Sequence, residues 1–107
     1  MRRFVVRVIS RKRIREASKA HPEWAASLSV WYKIVKNAST DWKHFGDVKR
    51  TWGNSDNVGI CVVFDISHNK CRLIAYINYK SHKVFILHIL SHTEYGKEAW
   101  KNDCECD

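Results

Sequence analysis

The chain has 107 residues, a length that suits one compact domain. Hydrophobic residues make up 45% of it, with one proline and four glycines, which excludes a disordered or low-complexity chain. Nineteen Lys and Arg against eleven Asp and Glu leave a formal charge of +8, which points to an anionic partner, and no apolar run reaches the ~18 residues of a membrane span.

The first predicted element is a strand over Phe4 to Ile9, β-branched and apolar apart from Arg7. No small-residue cleavage site follows it, so a cytoplasmic protein is expected. In that compartment Cys61, Cys71, Cys104 and Cys106 default to free thiols. Ser10 can cap a helix from about Arg11 to Ala20, a surface helix rich in basic residues. Pro22 fits the first position of a second helix. Along it Trp24, Leu28, Trp31 and Val35 recur at steps of four, three and four, which is one buried face and not a ligand site. The segment 40–52 is expected to hold a turn or two of helix and a loop, and "NSDN" (54–57) is a further turn signal.

Three strands follow, Ile60–Ile66, Cys71–Tyr79 and Val84–Leu90, joined by turns at 67–70 and 80–83. A short helix is expected from about Thr93 to Lys101, and a frayed, solvated tail from about residue 102. The tail's Cys104-x-Cys106 lacks the spacing of a zinc pair, although His88 or His92 are imaginable partners. The predicted order is β-α-α-β-β-β-α in a single domain over 1–107. It is an α+β fold, with two N-terminal helices covering one face of a small, antiparallel-rich sheet.

Alternation assigns the faces. On the middle strand of the three, Leu73, Ala75, Ile77 and Tyr79 turn to the helices, while Arg72, Ile74, Tyr76 and Asn78 turn outward. A two-residue loop at His68-Asn69 places Asp65 opposite Arg72, Val63 opposite Ile74 and Cys61 opposite Tyr76. Arg72 then has a plain role as the cross-strand partner of Asp65. A three-residue loop at Ser81-His82-Lys83 places His88 opposite Tyr76 and His92 opposite Arg72; a two-residue loop sends both histidines to the other face. With the first choice, one open face carries Arg72, Tyr76, Asn78, His88 and His92, with Tyr95 close behind.

Arg holds phosphate in a planar fork, His moves protons near neutral pH, and Tyr stacks on bases. Without a metal, such a set can cut RNA. A base takes the 2′-hydroxyl proton, the oxygen attacks phosphorus, cations stabilise the phosphoryl charge, and an acid protonates the leaving 5′-oxygen.

Several segments extend this reading: Trp42, Asp47-Val48-Lys49, Val62-Val63-Phe64-Asp65-Ile66, Asn69-x-Cys71-Arg72-Leu73, and Ser91-His92-Thr93-Glu94-Tyr95-Gly96-Lys97. In their order and spacing, over nearly the whole chain, they resemble the HigB-like toxins of type II toxin–antitoxin systems, members of the RelE fold superfamily. The resemblance implies a metal-independent mRNA interferase that cleaves mRNA in the ribosomal A site and is neutralised by a cognate helix-turn-helix antitoxin. It implies no cofactor and no membrane. Matched position by position, Lys49, Arg72, His92 and Tyr95 are the catalytic candidates. Lys49, Arg50, Arg72, Tyr76, Asn78, His88 and Lys97 are the candidate RNA-binding positions. Cys61 stands where such toxins often carry Arg or Lys, Asp65 where they carry Asn, Cys71 where they carry an aromatic, and Gly96 where they carry Asp. The first two remove positive charge from the expected RNA face. The alternative is therefore a catalytically weak or inactive module of the same fold, binding RNA, ribosome or antitoxin.

Overall fold

The computed structural model describes residues 7–68 and 70–105. Phe4 to Val6 of the predicted first strand, Asn69 of the first hairpin loop, and Cys106 lie outside the described residues. Strand β1 (Arg7–Ile9) leads into α1 (Arg11–Ala20). After a single 3-10 turn at Pro22–Trp24 comes α2 (Ala25–Ala38), and a second 3-10 turn precedes α3 (Phe45–Thr51). Strands β2 (Ser55–Val58), β3 (Cys61–Ile66), β4 (Cys71–Asn78) and β5 (Lys83–Ser91) follow. The chain closes with α4 (His92–Gly96) and a 3-10 turn at Ala99–Cys104.

The sheet order is β1-β5-β4-β3-β2, with β1 parallel to β5 and every other pair antiparallel. The architecture is the expected α+β one. Trp24, Leu28, Trp31 and Val35 are buried against Phe64, Leu73, Ala75 and Ile77 in the main core. The step pattern on α2 and the alternation on β4 thus meet face to face. No helix among the described residues is long and apolar enough to cross a membrane.

The segment read as a turn at 54–57 is instead mostly strand: β2 pairs with β3 from Ser55↔Phe64 to Val58↔Cys61. An edge strand can carry polar residues, because only one of its sides needs a partner. The reversal between them is at Gly59, whose φ of 57° suits a residue without a side chain.

The first hairpin has the expected register, with Asp65↔Arg72, Val63↔Ile74 and Cys61↔Tyr76. The second does not. Its ladder begins at Asn78↔Lys83, so the loop holds Tyr79 to His82, and Tyr76 faces Phe85. Continued unchanged, that register would carry His88 opposite Leu73 and onto the helix side. A bulge prevents this: Ala75 pairs with Ile86 but Ile74 with His88, leaving Leu87 as the extra residue. His88 therefore keeps the outward face but lies opposite Ile74 and not Tyr76. Arg72 faces Leu90, and His92 lies beyond the last ladder pair, Cys71↔Ser91.

The outward face is not open. A second cluster of Cys61, Val63, Ile74, Trp100 and Cys104 forms on it, with Leu87, Leu90 and Tyr95 packed alongside. Residues 102–104, expected to fray, belong to the turn that covers this face. Cys61 and Cys104 are joined by a disulfide, which corrects the expectation of free thiols at these two positions. Cys71 is a free, buried thiol, and burial pushes its pKa up to about 12. The expected Thr93–Lys101 helix is split, because the backbone reverses at Glu98 with φ 61°.

Candidate active site

Three elements converge beside Arg72. The first is α3. Its Asp47 accepts the Lys43 N–H at 2.8 Å and pairs with Arg50, and its carboxyl is held below the ordinary range chiefly by the Lys43 bond, with His44 and Arg50 adding to it. Lys49, in the last turn of α3, donates from Nζ to the Ser55 carbonyl at 2.7 Å and so ties the helix to β2. The second element is β3 with the loop before β2. The Asp65 N–H donates to the Asn54 carbonyl at 2.8 Å, and the Asp65 carbonyl accepts Trp52 Nε1 at 3.0 Å.

Arg72 enters from β4. Its Nη1 lies 3.2 Å from Asp65 Oδ1, the cross-strand contact expected from the hairpin, and only 13% of its side chain is exposed. The third element is α4, which brings Tyr95. The Arg72 guanidinium sits over the Tyr95 ring at 5.0 Å from its centroid, a cation–π distance. Lys49, Asp65, Arg72 and Tyr95 line one polar hollow of about 300 Å³ with Asn54, Ser55 and Asp56. Two cations and a planar ring around one hollow can hold a phosphodiester and a base, with the Asp56 and Asp65 carboxylates offsetting part of the positive charge.

The other predicted positions separate from this group. His92 is exposed at the first residue of α4 and does not line the hollow. His88 Nε2 lies 2.6 Å from Asp103 Oδ2, and His88 and Lys97 line a different depression beside Trp100. Arg50 is engaged with Asp47. Tyr76 packs on Phe85 with centroids 5.9 Å apart, and Asn78 Oδ1 accepts the Ser81 N–H at 3.1 Å. A larger groove between α2 and the α3–β2 loop is lined by Trp24, Val30, Ile34 and Trp52. It is mainly apolar and lacks the paired cations of the smaller hollow. Among the described residues no group of three or more His, Cys, Asp and Glu is placed to hold a metal ion.

Two contributors escaped the sequence reading. Trp100 stacks on Tyr95 at 5.0 Å between centroids and 11° between planes, and its Nε1 donates to the Tyr95 carbonyl at 2.9 Å. Asp103 supplies the partner of His88. A lone Trp in a polar tail was the available signal, but periodicity does not say which sheet face it covers.

Helix α4 is fixed by a capping box. The Glu94 N–H donates to Ser91 Oγ at 3.2 Å and the Ser91 N–H to Glu94 Oε1 at 3.0 Å. The Ser91 backbone and hydroxyl bonds hold the Glu94 carboxyl below its ordinary value of 4.5. A depressed folded pKa means stability that is complete above the unfolded value and lost as pH falls through the folded one. Glu94→Ala should therefore melt below the parent at pH 7, and the gap should shrink as pH is lowered from 4.5 and close below the folded pKa. Thermal melts across pH check this; a gap of constant size would refute it.

Comparison with known proteins adds two findings. Residues 24–98 match the HigB toxin family, described as the RelE-like toxic component of a toxin–antitoxin system. The chain is also 31% identical over 93 residues to an mRNA interferase HigB of Escherichia coli O6:H1, covering 84% of this chain and 88% of that protein. The matched span contains Lys49, Arg72, His92 and Tyr95.

Proposed function

That this chain belongs to the HigB toxin family, RelE-like toxic components of toxin–antitoxin systems, is the premise from which we propose that it is an mRNA endoribonuclease that stops translation. The observation that carries the proposal is the convergence of Lys49, Arg72 and Tyr95 on one polar hollow. In this reading the whole chain is one toxin domain acting in the cytoplasm on mRNA in the ribosomal A site, and a helix-turn-helix antitoxin restrains it.

The chemistry follows from the positions of the groups. Arg72, steered by Asp65 and supported by Tyr95, takes the charge that grows on the phosphoryl oxygens. Lys49 adds a second cation to the same hollow. Its bond to the Ser55 carbonyl fixes the direction of its Nζ. The Tyr95 ring offers an edge for a base. His92, exposed at the first residue of α4 and outside the hollow's lining, supplies acid–base capacity to RNA that extends beyond the hollow. The nucleophile is the RNA's own 2′-hydroxyl: its proton passes to a base, its oxygen attacks phosphorus, and the 5′-oxygen leaves with a proton. Inducing the protein alone should arrest growth and create new mRNA ends. Normal growth with intact mRNA at verified expression would sink the proposal.

A second reading rests on one contact. Asp65 lies 3.2 Å from Arg72 and offsets its charge, as a weak or inactive RNA- or antitoxin-binding module would tolerate. Asp65→Asn discriminates, since the amide oxygen still accepts from Arg72 but no longer neutralises it. The pair is part-buried, so freeing Arg72 of that neighbouring charge should lower KM for ribosome-bound mRNA several-fold. If neither parent nor variant cleaves but both bind antitoxin, the module reading holds.

A further inference from the structure

The most unusual feature outside the hollow is what holds up its Tyr95 wall. The turn Ala99–Cys104 lies on the outward sheet face and places Trp100, only 3% exposed, against the Tyr95 ring. The same ring carries the Arg72 guanidinium. Packing therefore runs from Trp100 through Tyr95 to Arg72, and Cys104 shares the apolar cluster of Trp100.

Without its covalent bond the turn is held by the packing of Trp100 and Cys104 with Val63 and Ile74 and by polar contacts at its ends. The Ile60 N–H donates to the Cys104 carbonyl at 2.9 Å, and Trp100 Nε1 donates to Tyr95. The Asp103–His88 pair is part-exposed, and such pairs hold weakly. A 3-10 turn of six residues has little stability of its own. The covalent attachment is the Cys61–Cys104 disulfide, which joins positions 43 residues apart. The proposed target, mRNA, lies in a reducing compartment, where disulfides are seldom static staples and are more often transient or redox-sensing.

We infer that Trp100 is a positioning residue for Tyr95 and Arg72, and that the Cys61–Cys104 bond is a redox clamp on it, tightening the site when oxidised and loosening it when reduced. The inference rests on the proposed endoribonuclease reading. The chemistry balances with a small-molecule disulfide of the glutathione class. The two cysteine thiols give up two electrons and two protons, the protein S–S bond forms, the oxidant's S–S bond breaks, and two small thiols leave. Reduction is the reverse, and attack on the buried sulfurs follows local opening of residues 99–105.

The test uses the full chain, oxidised or treated with dithiothreitol, with alkylation and peptide mapping to verify that the Cys61 and Cys104 thiols have formed. Reduction should lower kcat for ribosome-bound mRNA by about 10-fold with a smaller change in KM, because a misplaced site group mainly costs the chemical step. Cys104→Ser should show that lower kcat with or without reductant. Trp100→Ala should match it even when the disulfide is intact, and Trp100→Phe, which keeps a stacking ring, should recover most of the loss. An unchanged kcat after verified reduction, or full activity in Trp100→Ala, overturns the inference. A readout independent of cleavage separates its failure from that of the function. Stacking on Trp100 shifts the Tyr95 ring protons upfield, and reduction should move them toward their positions in Trp100→Ala. If they stay in place, the clamp is refuted whether or not the protein cuts RNA; if the oxidised parent does not cut while they move, only the endoribonuclease reading fails.

Discussion

Replacing Arg72 with Ala should lower mRNA cleavage by on the order of 10²–10³-fold and abolish growth arrest, the loss typical when one preorganised donor to a developing transition-state charge is removed. Arg72 is preorganised on two sides. Asp65 holds one nitrogen at 3.2 Å, and the Tyr95 ring lies under the guanidinium at 5.0 Å. A guanidinium held in this way needs no further ordering before it can meet a developing charge. Its side chain lies at the surface of the hollow and not in the core, so the variant should remain folded, as circular dichroism and a cooperative melt would verify. Arg72→Lys is the sharper variant. It keeps the charge but loses the planar fork, so it should recover only a small part of the activity. A folded Arg72→Ala protein with parental cleavage would mean that the hollow is not the active site.

Trp31→Ala should cost about 3–5 kcal/mol of folding stability, the range for deleting a fully buried aromatic. Trp31 is 0% exposed on α2 and meets Phe64 of β3 edge-to-face, with centroids 5.2 Å apart and planes at 74°. With Leu28 and Val35 it joins the helix layer to the sheet. Against a typical total of 5–15 kcal/mol, such a loss takes a large share of the stability, and Tm should fall by at least about 12 °C. Trp31→Phe should cost far less. Trp31 Nε1 is buried without a hydrogen-bond partner among the described residues, so Phe removes an unsatisfied donor along with part of the ring. Chemical denaturation of the three proteins checks the order; an equal cost for Phe and Ala would show that the contact with Phe64 contributes nothing.

The bounds of α1 were legible, although Ser10, expected to cap it, makes no side-chain cap bond. The buried face of α2 was legible because it depends on contacts three or four residues apart, which the chain carries locally. The Asp65–Arg72 pair was legible because a two-residue loop fixes a register by counting. The second hairpin was not. Its loop and its bulge at Leu87 each change the count, and the bulge restored His88 to the outward face while shifting its partner. His92 consequently missed Arg72. Asn54, Ser55 and Asp56 looked like a turn, although two of them belong to an edge strand that pairs on one side only.

By itself, the sequence determined the α+β class, the helix face that meets the sheet and the two faces of β4, and it offered Lys49, Arg72, His92 and Tyr95 as candidates. Each of these follows from local periodicity, a short loop count or an ordered set of segments. Only the tertiary structure decided that Lys49, Arg72 and Tyr95 share one hollow while His88 and His92 stand apart, and that a disulfide closes the C-terminal turn over the outward face. The physical reason is distance along the chain. Cys61 and Cys104 are 43 residues apart, and no local pattern records which distant surface a short turn will cover.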